Sequence, residues 1–336
     1  MRTKKEVKSC GKLYWAGEYA ILSPHQGAII KNIPIYMRAK IEPASDYQLA
    51  SSLFKHQASL AFDPAYALIQ EAIQLMNVYL TQQGLSPEPF KLEILGAMEK
   101  EGKKLGLGSS GSVLILTLRA VASFYNLELE PDILFKLGAY LLLKRGDNGS
   151  MGDLACIAYE DLIYYQSFDR QSLREKIKQA SFDEVLRADW GYQIRRIHPA
   201  LTFDFLVGWT KEPAISKDLI DQVQEAISPS FLSASQQAVL KAEQALIKGD
   251  KPALKAALTE NATCLASLHP AIGHPKLEKL MEASRNLDAL AKSSGAGGGD
   301  CGIALAFDDQ ASQTLLELWQ DADIDLIYRE RMGQHD

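Results

Sequence analysis

The sequence has little cysteine: four residues in 336, Cys10, Cys156, Cys264 and Cys301, set far apart with no C-x-x-C pair and no histidine cluster beside them. That argues against a disulfide framework or a zinc site, and makes reduced thiols in a cytoplasmic protein the expectation. Long apolar runs are absent too. No stretch reaches the ~20 residues of a membrane-spanning helix, and the charged opening MRTKKEVKSCGK leads into no signal-like apolar segment. Nor is there an excess of positive charge. Against 36 Lys and Arg stand 42 Asp and Glu, a formal net charge of −6. A broad nucleic-acid footprint is therefore not expected, although a pocket for a small anion depends only on local charge. No internal repeat and no low-complexity linker interrupts the chain.

What the chain does have is length and apolar content for two domains, at ~100–200 residues each. The first third reads as strand-rich, with "GAIIKNIPIYMRAKI", "DYQLASSLF" and "FKLEIL". Between them Ile69, Ile73, Met76 and Leu80 recur at helical spacing, and Gly84 ends that helix. "SGSVLILTLRAVASFYNL" predicts a buried helix with a serine available as N-cap, and "PDILFKLGAYLLLKRG" predicts the next. "ACIAYEDLIYYQSF" reads as strand. Around residues 183–198 the apolar pattern loosens, which sets the division into residues 1–197 and 198–336. The second part begins with strand "LTFDFLVGWT", continues through helices "SASQQAVLKAEQALIKG", "DKPALKAALTENATCLASL" and "KLEKLMEASRNLDALAK", and ends strand, helix, strand. Irregular alternation with early meandering strands predicts an α+β fold rather than a doubly wound sheet.

One stretch invites three incompatible readings. "GKKLGLGSSGS", Gly102 to Ser112, contains a G-x-G-x-x-G, fits a protein-kinase glycine loop, and is one lysine short of a P-loop. Context removes all three. Ten residues separate "FKLEIL" from Gly106, where a dinucleotide fold needs the strand to end at the first glycine. V-A-I-K, H-R-D and D-F-G are absent, and Ser112 occupies the P-loop lysine position. What survives is an anion site: glycines Gly106, Gly108 and Gly111 with Ser109, Ser110 and Ser112 open a strongly apolar helix. The bland alternative is a serine-capped helix after a flexible loop. Just upstream, Lys103 and Lys104 point to opposite faces if the segment is extended.

Three other segments carry chemistry-bearing residues. "CGKLYWAGEYAIL" holds Lys12 and Glu18; alone it reads as a strand with a turn. "KRGDNGSMGDLA" offers Ser150 and Asp153, where the aspartate could be a base or orient a lysine, or simply belong to an Asp/Asn/Gly turn. "KSSGAGGGDCGIAL" places a glycine run between an expected helix and an expected buried strand, so that backbone can approach a ligand or another loop.

Together, G-K-x-x-x-x-G-E, G-L-G-S-S-G-S and S-G-A-G-G-G-D resemble, in order and separation, the three motifs of the GHMP kinase superfamily, over nearly the whole chain. Within it the four segments are similar to the bacterial phosphomevalonate kinases of the streptococcal type. The resemblance implies an α+β pair of domains, the first like ribosomal protein S5 domain 2 and the second ferredoxin-like, with ATP and substrate between them. It implies transfer of a phosphoryl group from ATP, with Mg²⁺, to (R)-5-phosphomevalonate in isoprenoid synthesis; a mevalonate kinase or another small-molecule kinase is the alternative. Carried over by position, Gly106, Leu107, Gly108, Ser109, Ser110, Gly111 and Ser112 cradle the ATP phosphates, with Ser110 or Ser112 near Mg²⁺. Asp153 and Lys12 match active-site positions, and Lys104, ahead of Lys103, is assigned to the phosphates to complete the catalytic set. Lys12, Ser150, Ser216, Ser294, Gly295 and Ala296 become the substrate-binding set, with Arg145, Arg196 and Lys211 as further cations for a doubly anionic substrate. The partners implied are these small molecules, with no nucleic acid or membrane and with room left for a homodimer. One departure stands out: where mevalonate kinases carry a Mg²⁺-holding glutamate, ungapped counting finds Leu142.

Overall fold

The computed structural model describes residues 2–96, 98–214 and 217–333. The first region runs β1 (Lys5–Ala16), β2 (Gly27–Pro43), β3 (Gln48–Ser51), α1 (Ala67–Gln82), β4 (Phe90–Leu95), β5 (Glu99–Lys100), β6 (Lys103–Lys104), α2 (Ser109–Phe124), α3 (Pro131–Lys144), α4 (Gly152–Tyr159), β7 (Leu162–Gln166), α5 (Arg170–Gln179), α6 (Phe182–Arg187) and β8 (Gln193–Arg196). The second runs β9 (Phe203–Trp209), α7 (Lys217–Glu225), α8 (Pro229–Lys248), α9 (Lys251–Leu268), α10 (Pro275–Glu282), β10 (Ala289–Ser293), β11 (Cys301–Ala306), α11 (Asp309–Asp321) and β12 (Asp325–Met332).

The larger sheet has the order β3-β4-β2-β7-β8, with β1 also paired to β2. The long β2 strand serves three partners. Its first residues pair with β7, its last with β4, and β1 runs antiparallel along it from Lys5↔Ile41 to Ala16↔Ile29. Helix α2 is apolar on every side, with Val113 to Leu118 all buried, because sheet and helices surround it. The smaller sheet has the order β10-β11-β9-β12, all neighbours antiparallel. Helices follow β9 and one helix links β11 to β12, which is the split β-α-β arrangement of ferredoxin-like domains. The two sheets part between Arg196 and Phe203.

The departures from the sequence reading are local. "ACIAYEDLIYYQSF" is not one strand: Gly152–Tyr159 is helix α4 and only Leu162–Gln166 is strand. "KLEKLMEASRNLDALAK" is not one helix: α10 stops at Glu282, and Ala289–Ser293 is a buried strand. The glycine run therefore joins two antiparallel strands, not a helix and a strand. In both cases small apolar residues fit either state, and the neighbouring sheet decides.

The domains meet along "CGKLYWAGEYAIL". Trp15, fully buried on β1, packs against Phe205 and Phe203 of β9 at ring-centroid distances of 5.0 and 6.1 Å. Truncating such a residue costs ~3–5 kcal/mol. Just past the turn, Glu18 meets Lys292 of β10 at 2.6 Å with both side chains almost wholly buried. Tyr19 Oη donates to Ala296 O at 2.7 Å. The first and third glycine-bearing segments are thus locked to each other, and the cleft opens beside them.

Candidate active site

The second glycine segment forms the floor of the cleft. Lys12 N–H donates to Leu107 O at 2.9 Å, tying the loop to β1 while the Leu107 side chain enters the core. Gly108, in the left-handed region at φ 78°, is the N-cap of α2, and no side chain caps this helix. The helical ladder starts with Ser112 N–H to Gly108 O at 3.1 Å. The amides of Gly108, Ser109, Ser110 and Gly111 are therefore left outside it, a ready anion site at the positive end of the helix dipole. The expected serine N-cap is absent; a hydroxyl there would occupy the donors that a phosphate needs.

Space explains the glycines. A Cβ on Gly108 would stand 2.8 Å from Lys12 Cε, one on Gly111 2.7 Å from Asp153 Oδ2, and one on Gly106 2.6 Å from Asp300 Oδ2. Each loop glycine makes room for one charged side chain, from β1, α4 and the third glycine segment respectively. These groups, with Lys104, line a cavity of about 340 Å³ that also touches Ser110, Ser294, Gly295, Ala296 and Ala214. Three larger grooves, of about 630, 570 and 500 Å³, contain none of the three glycine segments.

Asp153 lies in the first turn of α4, where a carboxylate gains from the helix N-terminus. Burial nonetheless dominates and pushes its carboxyl above the ordinary range, while Lys12 and the backbone N–H groups of Asp153 and Leu154 pull it down. Asp300 is shifted up in the same way by burial, opposed by the Ala214 amide, Lys12 and Lys104. The sequence reading did not single out Asp300; its signal was a lone acid closing a glycine run before a buried strand. Its backbone is clamped by Thr210 N–H to Asp300 O at 2.9 Å and Asp300 N–H to Glu212 O at 2.7 Å.

Ser294 Oγ donates to Tyr14 O at 2.8 Å, across the domain seam. Ser150 stands outside the cavity lining: its hydroxyl meets Tyr14 Oη at 3.1 Å and accepts from Gly152 N–H at 3.2 Å. Lys103 and Lys104 form β6 of a two-stranded hairpin, the extended case in which their side chains part to opposite faces. Lys104 lines the cavity, whereas Lys103 Nζ donates to Lys211 O at 2.8 Å, away from it.

Some expected positions lie elsewhere. Ser112 is fully buried and its hydroxyl reaches Ser9 O at 3.4 Å, so neither that hydroxyl nor its amide, already in the helix ladder, is free for phosphate or metal. Arg145 pairs with Glu71 at 2.6 Å, Arg196 with Asp161 at 3.3 Å and Lys211 with Asp323 at 2.5 Å, none of them in the cavity lining. Leu142 sits on α3, also outside that lining. Ser216 lies outside the described residues.

Residues 67–161 match the family model "GHMP kinases N terminal domain" and residues 242–323 match "GHMP kinases C terminal". The chain belongs to the GHMP kinases. Among curated GHMP relatives, a phosphomevalonate kinase of Streptomyces sp. (strain CL190) is 32% identical over 92% of this chain and 91% of its own. A mevalonate kinase of Methanocaldococcus jannaschii is 28% identical over 63% of this chain and 61% of its own. Among solved GHMP structures, Streptococcus pneumoniae phosphomevalonate kinase in complex with phosphomevalonate and AMPPNP superposes with a TM-score of 0.95 at 50% identity, covering 98% of this chain and 100% of that one. The ATP-dependent kinase class and the two-domain fold are therefore settled. Among the described residues no helix is long and apolar enough to cross a membrane.

Proposed function

We infer that this chain transfers the γ-phosphoryl group of ATP to (R)-5-phosphomevalonate, giving ADP and 5-diphosphomevalonate. The observation that carries the reading is the full-length 50% identity to a kinase crystallised with phosphomevalonate and an ATP analogue. The geometry supports it through a cleft whose uncapped helix end, Lys12 and Lys104 all suit polyanions.

Phosphoryl transfer needs in-line positioning and neutralised charge more than covalent chemistry. The amides of Gly108 to Gly111 receive the ATP phosphates, and Lys104 stabilises charge on the transferring group. A second cavity of about 360 Å³ shares Met98, Lys104, Ser109 and Ser110 with the first and is otherwise lined by Met37, Leu53, Phe54, Leu68, Ile69 and Val113 among others. Its apolar walls suit the adenine end. Ser294, Gly295 and Ala296 face the acceptor, with Lys12 for its charge and Ser150 behind through Tyr14. The acceptor is a phosphate already ionised at neutral pH, so Asp153 orients Lys12 and the acceptor more than it abstracts a proton.

For Mg²⁺ the donors fit a metal held mainly by phosphate. Ser110 is exposed in the cavity with Asp153 and Asp300 nearby, but among the described residues no cluster of three or more His, Cys, Asp or Glu forms a protein cage. Mg²⁺ characteristically keeps several waters and takes one or two protein oxygens. It would supply charge neutralisation on the phosphates.

The test is ADP release with phosphomevalonate, mevalonate and homoserine offered separately. Turnover with phosphomevalonate alone is expected; preference for either alcohol would overturn the reading. Asp153→Asn is expected to lower turnover strongly, and near-full turnover would remove Asp153 from the mechanism.

A further inference from the structure

The hairpin that carries Lys104 is a poor structure by itself. Its strands have two residues each, joined by Glu101 and Gly102, both at positive φ as a tight hairpin turn requires. A lone two-stranded hairpin is marginal in water. Pairing sets Glu99 opposite Lys104 and Lys100 opposite Lys103. Directly opposed residues share a face, so two lysines stand side by side on one face, an arrangement that repels.

The C-terminal domain supplies what the hairpin lacks. Lys100 Nζ donates to Asp325 Oδ2 at the start of β12, and Lys103 Nζ to the carbonyl of Lys211 just beyond β9. Lys211 Nζ bridges Asp323 at 2.5 Å and Asp325 at 2.9 Å, and Lys276 Nζ closes the set on Asp323 at 2.9 Å and Thr210 O at 3.0 Å. The same Thr210–Glu212 segment clamps Asp300. One face of the hairpin is thus bonded across the domain boundary, and the opposite face presents Glu99 and Lys104 to the cavities.

We propose that Lys100 and Lys103, docked on Asp325 and Lys211, are positioning residues that hold Lys104 over the phosphate loop. The proposal rests on the assignment of Lys104 to the phosphates. Lys100 lines neither cavity, so it acts through Lys104 and not by binding.

Steady-state kinetics on the full chain tests this. Lys100→Glu should lower kcat about tenfold while the KM values for ATP and phosphomevalonate move less than about threefold, the pattern of an interaction lost in the transition state. Asp325→Asn should act in the same direction, and Lys100→Arg should restore most of the rate lost in Lys100→Ala. In a Lys104→Met background Lys100→Glu should add almost nothing, because the group it positions is gone. Unchanged kcat in Lys100→Glu, or an equal loss in the Lys104→Met background, would overturn the proposal. Full turnover in Lys104→Met alone would overturn the lysine assignment and the positioning role with it. Which single variant is inert tells the two failures apart.

Discussion

At the base of the cleft Lys292 and Glu18 meet at 2.6 Å, and Lys292 Nζ also donates to Ser293 O at 2.7 Å, with almost no exposure to solvent. A short way along the same seam Lys12 and Lys104 face Asp153 and Asp300 across a cavity, yet among the described residues they close no ion pair within 4 Å. The two sets are built from the same residue types and serve opposite ends. A closed pair fixes geometry, and breaking it leaves an uncompensated buried charge. Open cations keep their field for an incoming anion, which need not displace a protein carboxylate first. The cleft carboxylates are held back by burial, which pushes both toward their neutral form.

The largest effect expected from breaking this contrast falls on the closed pair. Lys292→Met strands Glu18, which already has one buried oxygen without a partner, and should cost ~3–5 kcal/mol of stability. Urea unfolding measures it, and adding Glu18→Gln should recover much of the loss. An unchanged midpoint would mean that the pair is no more structural than the cleft lysines. Next comes the open set. Lys104 is exposed, so Lys104→Met should leave stability alone and lower kcat about 10²-fold, the loss typical of one donor to transition-state charge. A stability loss instead would put Lys104 with the scaffold. A smaller effect tests the packing between the sets. Gly111→Ala places a methyl 2.7 Å from Asp153 Oδ2 and should cost ~1–3 kcal/mol from overpacking. Asp153→Ala should relieve most of that cost in a double-mutant cycle.

These residues also show where the sequence was informative. The glycine segments were legible because a phosphate loop needs composition, and Gly106, Gly108 and Gly111 cannot be replaced without striking a charged neighbour. The α+β class followed from the irregular alternation of helices with early, meandering strands. What the sequence hid is set by tertiary context. "ALAKS" became strand because β11 offered it a partner, Ala289↔Ala306 onward. Asp153 moved from a turn to a helix start because α4 packs on α3 and β7. Ser112 looked the equal of Ser110 in the string, yet helical rotation turns one into the core and leaves the other in the cavity. The hairpin was hard to read because the Lys100 and Lys103 side chains find their partners in the other domain.

The smallest effect concerns Asp300 and runs against intuition. Burial raises its carboxyl pKa in the folded chain. Between the ordinary value near 3.9 and that raised value, the folded state holds a proton that the unfolded state has lost. Stability of the ligand-free protein therefore falls as pH rises through that window, and the deficit persists above it. Asp300→Asn cannot ionise, and its amide oxygen can still accept from Ala214 N–H. The variant should unfold at a higher temperature than the wild type at pH 7, with the gap closing toward about pH 4, where both side chains are neutral. Thermal unfolding across that range measures it. A lower melting temperature at pH 7 would show that Lys12 and Lys104 stabilise the carboxylate more than burial opposes it. The cleft would then be closer to a closed pair than its distances suggest.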